Sequence, residues 1–536
     1  MQPTIRTVKT RRRAIQTFKG LCLRDTVPEG YFSDAENLTS AGYPAIVPRR
    51  ARGVIGDCDD VTAMFSHDEM VWLEGTNLFY GSSYVGQLAA GEKRFASMGA
   101  DIAIFPDKVI LNSRTRTLAN MENAVTVSGV TAESCDLDGN PMAATPYAKI
   151  SANGIGAGFS KGDGVQITGF SDENRNGSYV LQTVDDDFLV VLMALDLSVS
   201  EAGSVTVSRA APDLDFVCAL GNRLWGCAGD GHEVYACKLG DATNWNVFEG
   251  LSTDSYVATV PSSGVFTGCA AYLGNVTFFK EEEIIKVYGS KPSNFELVTS
   301  EMPGVAKDAP NSLAFCSNRL FYKGLIGVYA YDGSAPVCVS QALGDRKYQN
   351  ACAGAFNGRY YMSAYDTLLS EYRLLVYDAD TGLWLRENGG RAIFFAGTGS
   401  ELYVKFADNK ICTVEHGGLW YNSALVPSPR MMLNEGRYEW NAVTGPIALC
   451  SPNGQYASRL HLRFSLGTSA SLTVYSRVND DSGWTENANF TDPHGEITVT
   501  IPLPVRRAST LYLKLTGVNS CVISQIALSF EAGGDA

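Results

Sequence analysis

Charge is scarce in this chain. Only 19% of its 536 residues are Asp, Glu, Lys or Arg, and 43 Lys plus Arg against 57 Asp plus Glu leave a net charge of −14. A general nucleic-acid binder neutralises phosphates with a cationic surplus that is missing here. Thirteen cysteines, irregularly spaced and without a Cys-x-x-Cys pair, make neither a zinc cage nor a disulfide framework. Most sit in apolar, strand-like runs, where free thiols behave as small hydrophobes; this points to folding in a reducing cytoplasm. The histidines His67, His232, His416, His461 and His494 never fall at metal-binding spacing. No stretch reaches the roughly 18 uninterrupted apolar residues of a membrane span. The longest, 188–199, is broken by Asp196. Lys19 and Arg24 interrupt any signal-peptide core behind the charged stretch 9–13.

What is abundant is glycine (53) and aromatic residues (25 Tyr, 24 Phe), the composition of many short strands joined by tight turns. The charge is also unevenly placed. Residues 1–52 hold ten Lys/Arg against four Asp/Glu, a local +6, which leaves −20 for the remainder. A basic N-terminal arm therefore precedes an acidic body.

From about 60 to 420 a strand–turn–strand unit recurs. Leu220-Gly221-Asn222-Arg223-Leu224-Trp225 matches Leu273-Gly274-Asn275-Val276-Thr277-Phe278, then Cys316-Ser317-Asn318-Arg319-Leu320-Phe321 and Phe356-Asn357-Gly358-Arg359-Tyr360-Tyr361. Weaker copies lie at 74–79, 104–109 and 399–404. Aligning Asn222, Asn275, Asn318 and Asn357 gives a period of about 40 to 50 residues, the mark of a β-propeller. About seven units predict six to eight blades, according to whether the N-terminal segment completes one. A β-sandwich with coincidental spacing is the plainer alternative.

Between 125 and 212 the rhythm breaks into short strands with four Lys/Arg against eleven Asp/Glu, an inserted small β-barrel. After Trp420 strict alternation takes over. Leu460, Leu462, Phe464 and Leu466, then Ile497, Val499 and Ile501, then Leu511, Leu513 and Leu515 each mark one apolar face of an antiparallel β-sandwich. The expected fold is all-β: arm and first strands 1–55, propeller 56–124, barrel 125–212, propeller 213–424, sandwich 425–536.

Chemistry-bearing motifs are weak. Gly156-x-Gly158 with Gly162 lacks the Gly-Lys-Ser/Thr ending and following helix of a phosphate loop. Asp185-Asp186-Asp187 lacks the spaced ligands and glycine of a calcium loop and reads as a solvated turn. Propeller plus sandwich raises a sialidase or other glycosidase, yet the Ser-x-Asp-x-Gly-x-x-Trp box is echoed only by Asp481-Ser482-Gly483-Trp484, out of register. No catalytic residue, metal site or cofactor is predicted. The basic residues Arg11, Arg12, Arg13, Arg49, Arg50, Arg52, Arg506 and Arg507 are the candidate assembly contacts, against the ordinary alternative of a solvated charge cluster.

The ordered segments Phe18-Lys19-Gly20-Leu21, Glu29-Gly30-Tyr31-Phe32, Tyr43-Pro44 and Arg49-Arg50-Ala51-Arg52 resemble the opening of bacteriophage tail-hub proteins, the packaged-DNA stabilisation or tail nozzle proteins. Phe278-Phe279-Lys280-Glu281, Pro292-Ser293-Asn294-Phe295 and Tyr331-Asp332-Gly333 resemble their propellers. Glu439-Trp440, Thr444-Gly445-Pro446 and Ile501-Pro502-Leu503-Pro504-Val505-Arg506-Arg507 resemble their sandwich domain. The pattern departs at Cys22 and Leu23, where the family's opening motif leads to an asparagine. The resemblance spans nearly the whole chain outside 125–212. It implies a non-enzymatic virion tail subunit, assembled in the host cytoplasm as a homo-oligomeric ring, commonly a hexamer, below portal and adaptor. Such a ring retains packaged DNA and conducts it during ejection without sequence-specific binding. A tail-tip receptor- or glycan-binding protein and a propeller glycosidase are the competing expectations.

Overall fold

A computed structural model describes residues 10–56, 58–143, 145–195, 198–414, 432–448, 455–479, 483–504 and 507–532. The fold is all-β, with 56% strand and 3% helix. Four-stranded antiparallel meanders of propeller-blade type recur along the chain, interrupted by one closed barrel and followed by a sandwich. The chain divides into two compact units, Met1–Met70 with Asp308–Ala536, and Val71–Lys307.

The second unit holds three complete blades, 94–120, 216–259 and 268–301. Their first strands, Arg94–Met98, Phe216–Leu220 and Gly268–Tyr272, pack against one another in that order. Trp225, Phe278, Ile285 and Val287 fill the space between the last two. The first unit repeats the scheme with blades 314–338 and 348–387, then a third whose strands Ala392–Gly397, Leu402–Phe406 and Ile411–Thr413 are joined by Gly53–Ile55 from the N-terminal segment. The N-terminal segment therefore does complete a blade. A further meander, 61–87, brings the number of blade-type sheets among the described residues to seven, inside the expected range of six to eight.

Turn chemistry explains the repeat. In all four strong copies both turn residues lie at positive φ: Gly221 (61°) and Asn222 (58°), Leu273 (49°) and Gly274 (75°), Ser317 (45°) and Asn318 (61°), Asn357 (49°) and Gly358 (75°). This is the type I′ geometry whose twist matches paired strands. The asparagine alignment needs correcting. Asn275 is the first residue of its strand, paired with Tyr272, so the equivalent second turn positions are Asn222, Gly274, Asn318 and Gly358. The copies at 74–79 and 104–109 are turns between second and third strands.

The barrel closes in the order Asn123–Cys135, Tyr147–Ser151, Phe188–Leu192, Gly177–Asp185, Gly164–Thr168, Val199–Arg209. Ile150, Ile167, Leu189, Val191, Val205 and Val207 form its core. Its first and last strands pair from Asn123 opposite Arg209, so the chain enters and leaves side by side, as an insertion requires.

The sandwich draws on both ends of the chain. In one sheet Thr10–Ile15 pairs with Cys521–Ala532, followed by Gln455–Leu466 and His494–Pro502. In the other Phe32–Glu36 pairs with Glu439–Thr444, followed by Thr510–Val518, Ser471–Val478 and Thr485–Phe490. From Thr10 to Ile15 the expected arm is thus edge strand, and it covers an edge of Cys521–Ala532 that would otherwise present unpaired backbone groups. Leu460, Leu462, Phe464, Leu511, Leu513 and Leu515 are buried as their alternation predicts. Ile497 is not: it lies on the last strand of its sheet and is 37% exposed.

Candidate functional site

The predicted basic residues separate into three groups. Arg11 and Arg12 are exposed on the edge strand, and Arg13 is ion-paired to Glu29. Arg50 is exposed, and Arg507 lies exposed on a short strand paired with Tyr456. Arg506 lies outside the described residues. Arg49 and Arg52 are not available as assembly contacts: they are 2% and 4% exposed, inside the chain's own fold.

Those two arginines form a clamp within the first unit. Arg49 grips Glu435 through both terminal nitrogens at 2.7 and 2.8 Å, while Nη2 also reaches Asn388 Oδ1 at 2.7 Å and Nε reaches Asn37 Oδ1 at 2.9 Å. Its guanidinium lies 5.0 Å from the Tyr438 ring centre. Arg52 donates to Glu387 Oε2 at 2.5 Å and to the Asn388 carbonyl at 2.8 Å, and its backbone N–H donates to Glu435. Nearby, Arg386 bridges Asp34 at 3.0 Å and Glu36 at 2.7 Å. Asn37 sits at φ 58°, a left-handed position asparagine tolerates, and its amide donates to the Glu439 carbonyl. The network ties the N-terminal segment to a blade strand (Leu383–Glu387) and to the start of the sandwich. Burial opposes charge on both sides, yet the partners win. Desolvation would lower Arg52, but Glu387 and Glu435 hold it above its ordinary value; desolvation would raise Glu435, but Arg49 and Arg52 hold it below 4.5.

The sandwich presents two distinct outer faces. On the sheet carrying the N-terminal strand, His461 bonds Thr500 and Ser529, each at 2.9 Å, and its pKa is lowered by burial and then by Arg12 and Arg459. Arg12 thus belongs to a cationic surface with Arg459. On the opposite sheet, alternation buries Leu472, Val474 and Ser476 and turns Tyr475 and Arg477 outward, beside Tyr512 and Lys514 of the next strand.

In the second unit a separate buried network mounts the barrel. Arg209 is ion-paired to Asp163 and donates to the Met121 carbonyl at 2.9 Å. Asn244 donates to Asp163 at 3.0 Å and accepts from the Gly164 N–H at 3.0 Å. A Cβ at Gly164 would come within 2.4 Å of the Asn246 carbonyl oxygen, so only glycine fits that approach.

Among the described residues no group of three metal-ligating side chains converges. Asp187 accepts from the Gly154 N–H at 2.8 Å across the turn. His416, Cys450, Asp481 and Ser482 lie outside the described residues. All twelve described cysteines are free, nine of them buried, and burial pushes Cys237 and Cys521 up to about 12, which leaves them protonated and unreactive. No helix among the described residues is long and apolar enough to cross a membrane. Sequence reasoning missed Glu387, Glu435, Asn37 and Asn388. Glu387, Asn388 and Glu435 lie more than 330 positions from the arginines they meet, for which spacing carries no signal.

No protein-family model matches the chain, and no curated protein matches it. Among solved structures, BamB from Moraxella catarrhalis is 11% identical with TM-score 0.35, covering 69% of this chain and 98% of that one. Trypanosoma rangeli sialidase is 10% identical with TM-score 0.23, covering 82% and 96%. The endosialidase of phage phi92 is 13% identical with TM-score 0.19, covering 81% and 70%. None of these likenesses assigns an activity.

Proposed function

We propose that this chain is a structural subunit of a phage tail, a nozzle or hub protein that assembles as a ring below portal and adaptor and conducts packaged DNA. The observation that carries the reading is the treatment of the N-terminal segment. Its strands are built into both sandwich sheets and one blade, its two central arginines are spent inside the fold, and Arg11, Arg12 and Arg50 remain at the surface to meet acidic neighbours. A subunit whose N-terminal segment is built in from Thr10 onward presents a fixed cationic edge there.

Charge placement sharpens the role of the channel. Across the first strands of the seven blade-type sheets Arg94 is the only Asp, Glu, Lys or Arg residue. In this reading the acidic wall that repels phosphate belongs to the lumen of the assembled ring, not to the blades' first strands. Electron microscopy of the purified assembly should show a ring with a central opening that admits duplex DNA. A compact monomer under assembly conditions overturns the proposal.

Glycan binding is a second reading, favoured by the aromatic and cationic residues on the sandwich. A glycosidase is the enzyme alternative. Sugar release from sialylated or galactan substrates by the purified chain, abolished by a single carboxylate substitution, would decide for it.

A further inference from the structure

The outer face of the second sandwich sheet carries two cations, Arg477 and Lys514, with no acidic partner among the described residues. Tyr475 stands opposite Lys514 and Arg477 opposite Tyr512 in the strand register. The Lys514 ammonium lies 5.7 Å from the Tyr475 ring centre. The Arg477 guanidinium lies 4.5 Å from the Tyr512 ring centre and 5.0 Å from that of Trp484. All five side chains are half-buried. Among the described residues neither cation has an ion pair, and Arg477 Nε is buried without a hydrogen-bond partner. Glu486, in register with Tyr475, is exposed and pairs with neither.

Cross-strand cation–ring pairs contribute a fraction of a kcal/mol to a sheet. That accounts for the stacking but not for the missing anions. Ring contacts hold the planar guanidinium without consuming its N–H donors, so a receptor for a carboxylate is formed in advance, with the bidentate geometry that arginine provides. The two cation–ring pairs are two residues apart along flat strands, about 7 Å. Half-buried aromatic side chains beside the cations offer apolar surface to a sugar ring, and the two cations select acidic sugars.

We propose that Tyr475, Arg477, Trp484, Tyr512 and Lys514 form a binding site for a carboxylate-bearing glycan. The proposal rests on this sheet face alone and does not require the tail-subunit reading, which the assembly experiment tests separately. Binding of the full-length protein to a hyaluronan hexasaccharide and to α2,8-linked trisialic acid is measured by isothermal titration, with cellohexaose as the neutral probe and a single-stranded oligothymidylate as the nucleic-acid probe. At least one acidic glycan should bind and cellohexaose should not. Arg477→Met should weaken that binding about ten- to hundredfold. Arg477→Lys should recover part of it, and Lys514→Met, on the neighbouring pair, provides an independent weakening if Arg477→Met fails to fold. Absence of acidic-glycan binding, equal binding of cellohexaose, indifference to all three substitutions, or preferential binding of the oligothymidylate would each overturn it.

Discussion

The barrel and the sandwich are both antiparallel, both built from alternating strands, and assembled in opposite ways. The barrel is contiguous in sequence from Asn123 to Arg209 and closes on itself, so no edge remains to be covered. The sandwich is open, and one edge strand of each of its sheets, Thr10–Ile15 and Phe32–Glu36, comes from the other end of the chain. Each is fastened by a buried arginine–carboxylate pair, Arg209 with Asp163 for the barrel and Arg49 with Glu435 for the sandwich. A closed module needs one mount; an open one draws distant segments into its structure, and the clamp couples its integrity to a neighbouring blade.

The clearest way to break this contrast is Glu435→Ala. It strands Arg49 in the interior and should cost about 3–5 kcal/mol, read by denaturant unfolding, with hydrogen exchange rising in the sandwich, in Gly53–Ile55 and in Leu383–Glu387 together. Loss confined to one of these elements would contradict the clamp. Asp163→Ala should cost about 3 kcal/mol, with exchange rising around 158–164 and 237–247 but not in the sandwich. Acid tests the sandwich fastener directly. Because Glu435 is held below its ordinary value of 4.5, its stabilisation is fully present above that pH and is lost as the pH falls through the lowered value. Glu435→Gln should flatten the acid limb of the stability curve below about pH 4.5; an unchanged limb would assign acid sensitivity elsewhere. Smallest in stability is the double substitution Arg11→Ser with Arg12→Ser, within about 0.5 kcal/mol of wild type, since both side chains are exposed. Its readout is assembly: the protein should stay folded and be lost from particles, and unchanged incorporation would remove these residues from the contact list.

Several features were legible in the sequence because they are local. A two-residue turn with both φ angles positive favours Gly and Asn, and each of the four strong copies has one or the other at its second turn position, so the hairpins announced themselves. Alternation located the apolar faces of Leu460–Leu466 and Leu511–Leu515, and the change of rhythm between 125 and 212 located the barrel. The basic arm was legible only as composition. Six arginines of 1–52 looked alike, yet Arg49 and Arg52 are interior while Arg11 and Arg12 are exposed, and nothing in neighbouring residues distinguishes them.

Composition, period and turn residues alone determined an all-β chain of repeating hairpins with an inserted barrel and a terminal sandwich, because those signals act over a few residues. Tertiary structure alone decided that Gly53–Ile55 completes a blade, that one edge strand of each sandwich sheet comes from the N-terminal segment, and which arginine meets which carboxylate. Such pairings depend on where the backbone brings residues hundreds of positions apart, and a charge records its partner only once the fold has removed it from water.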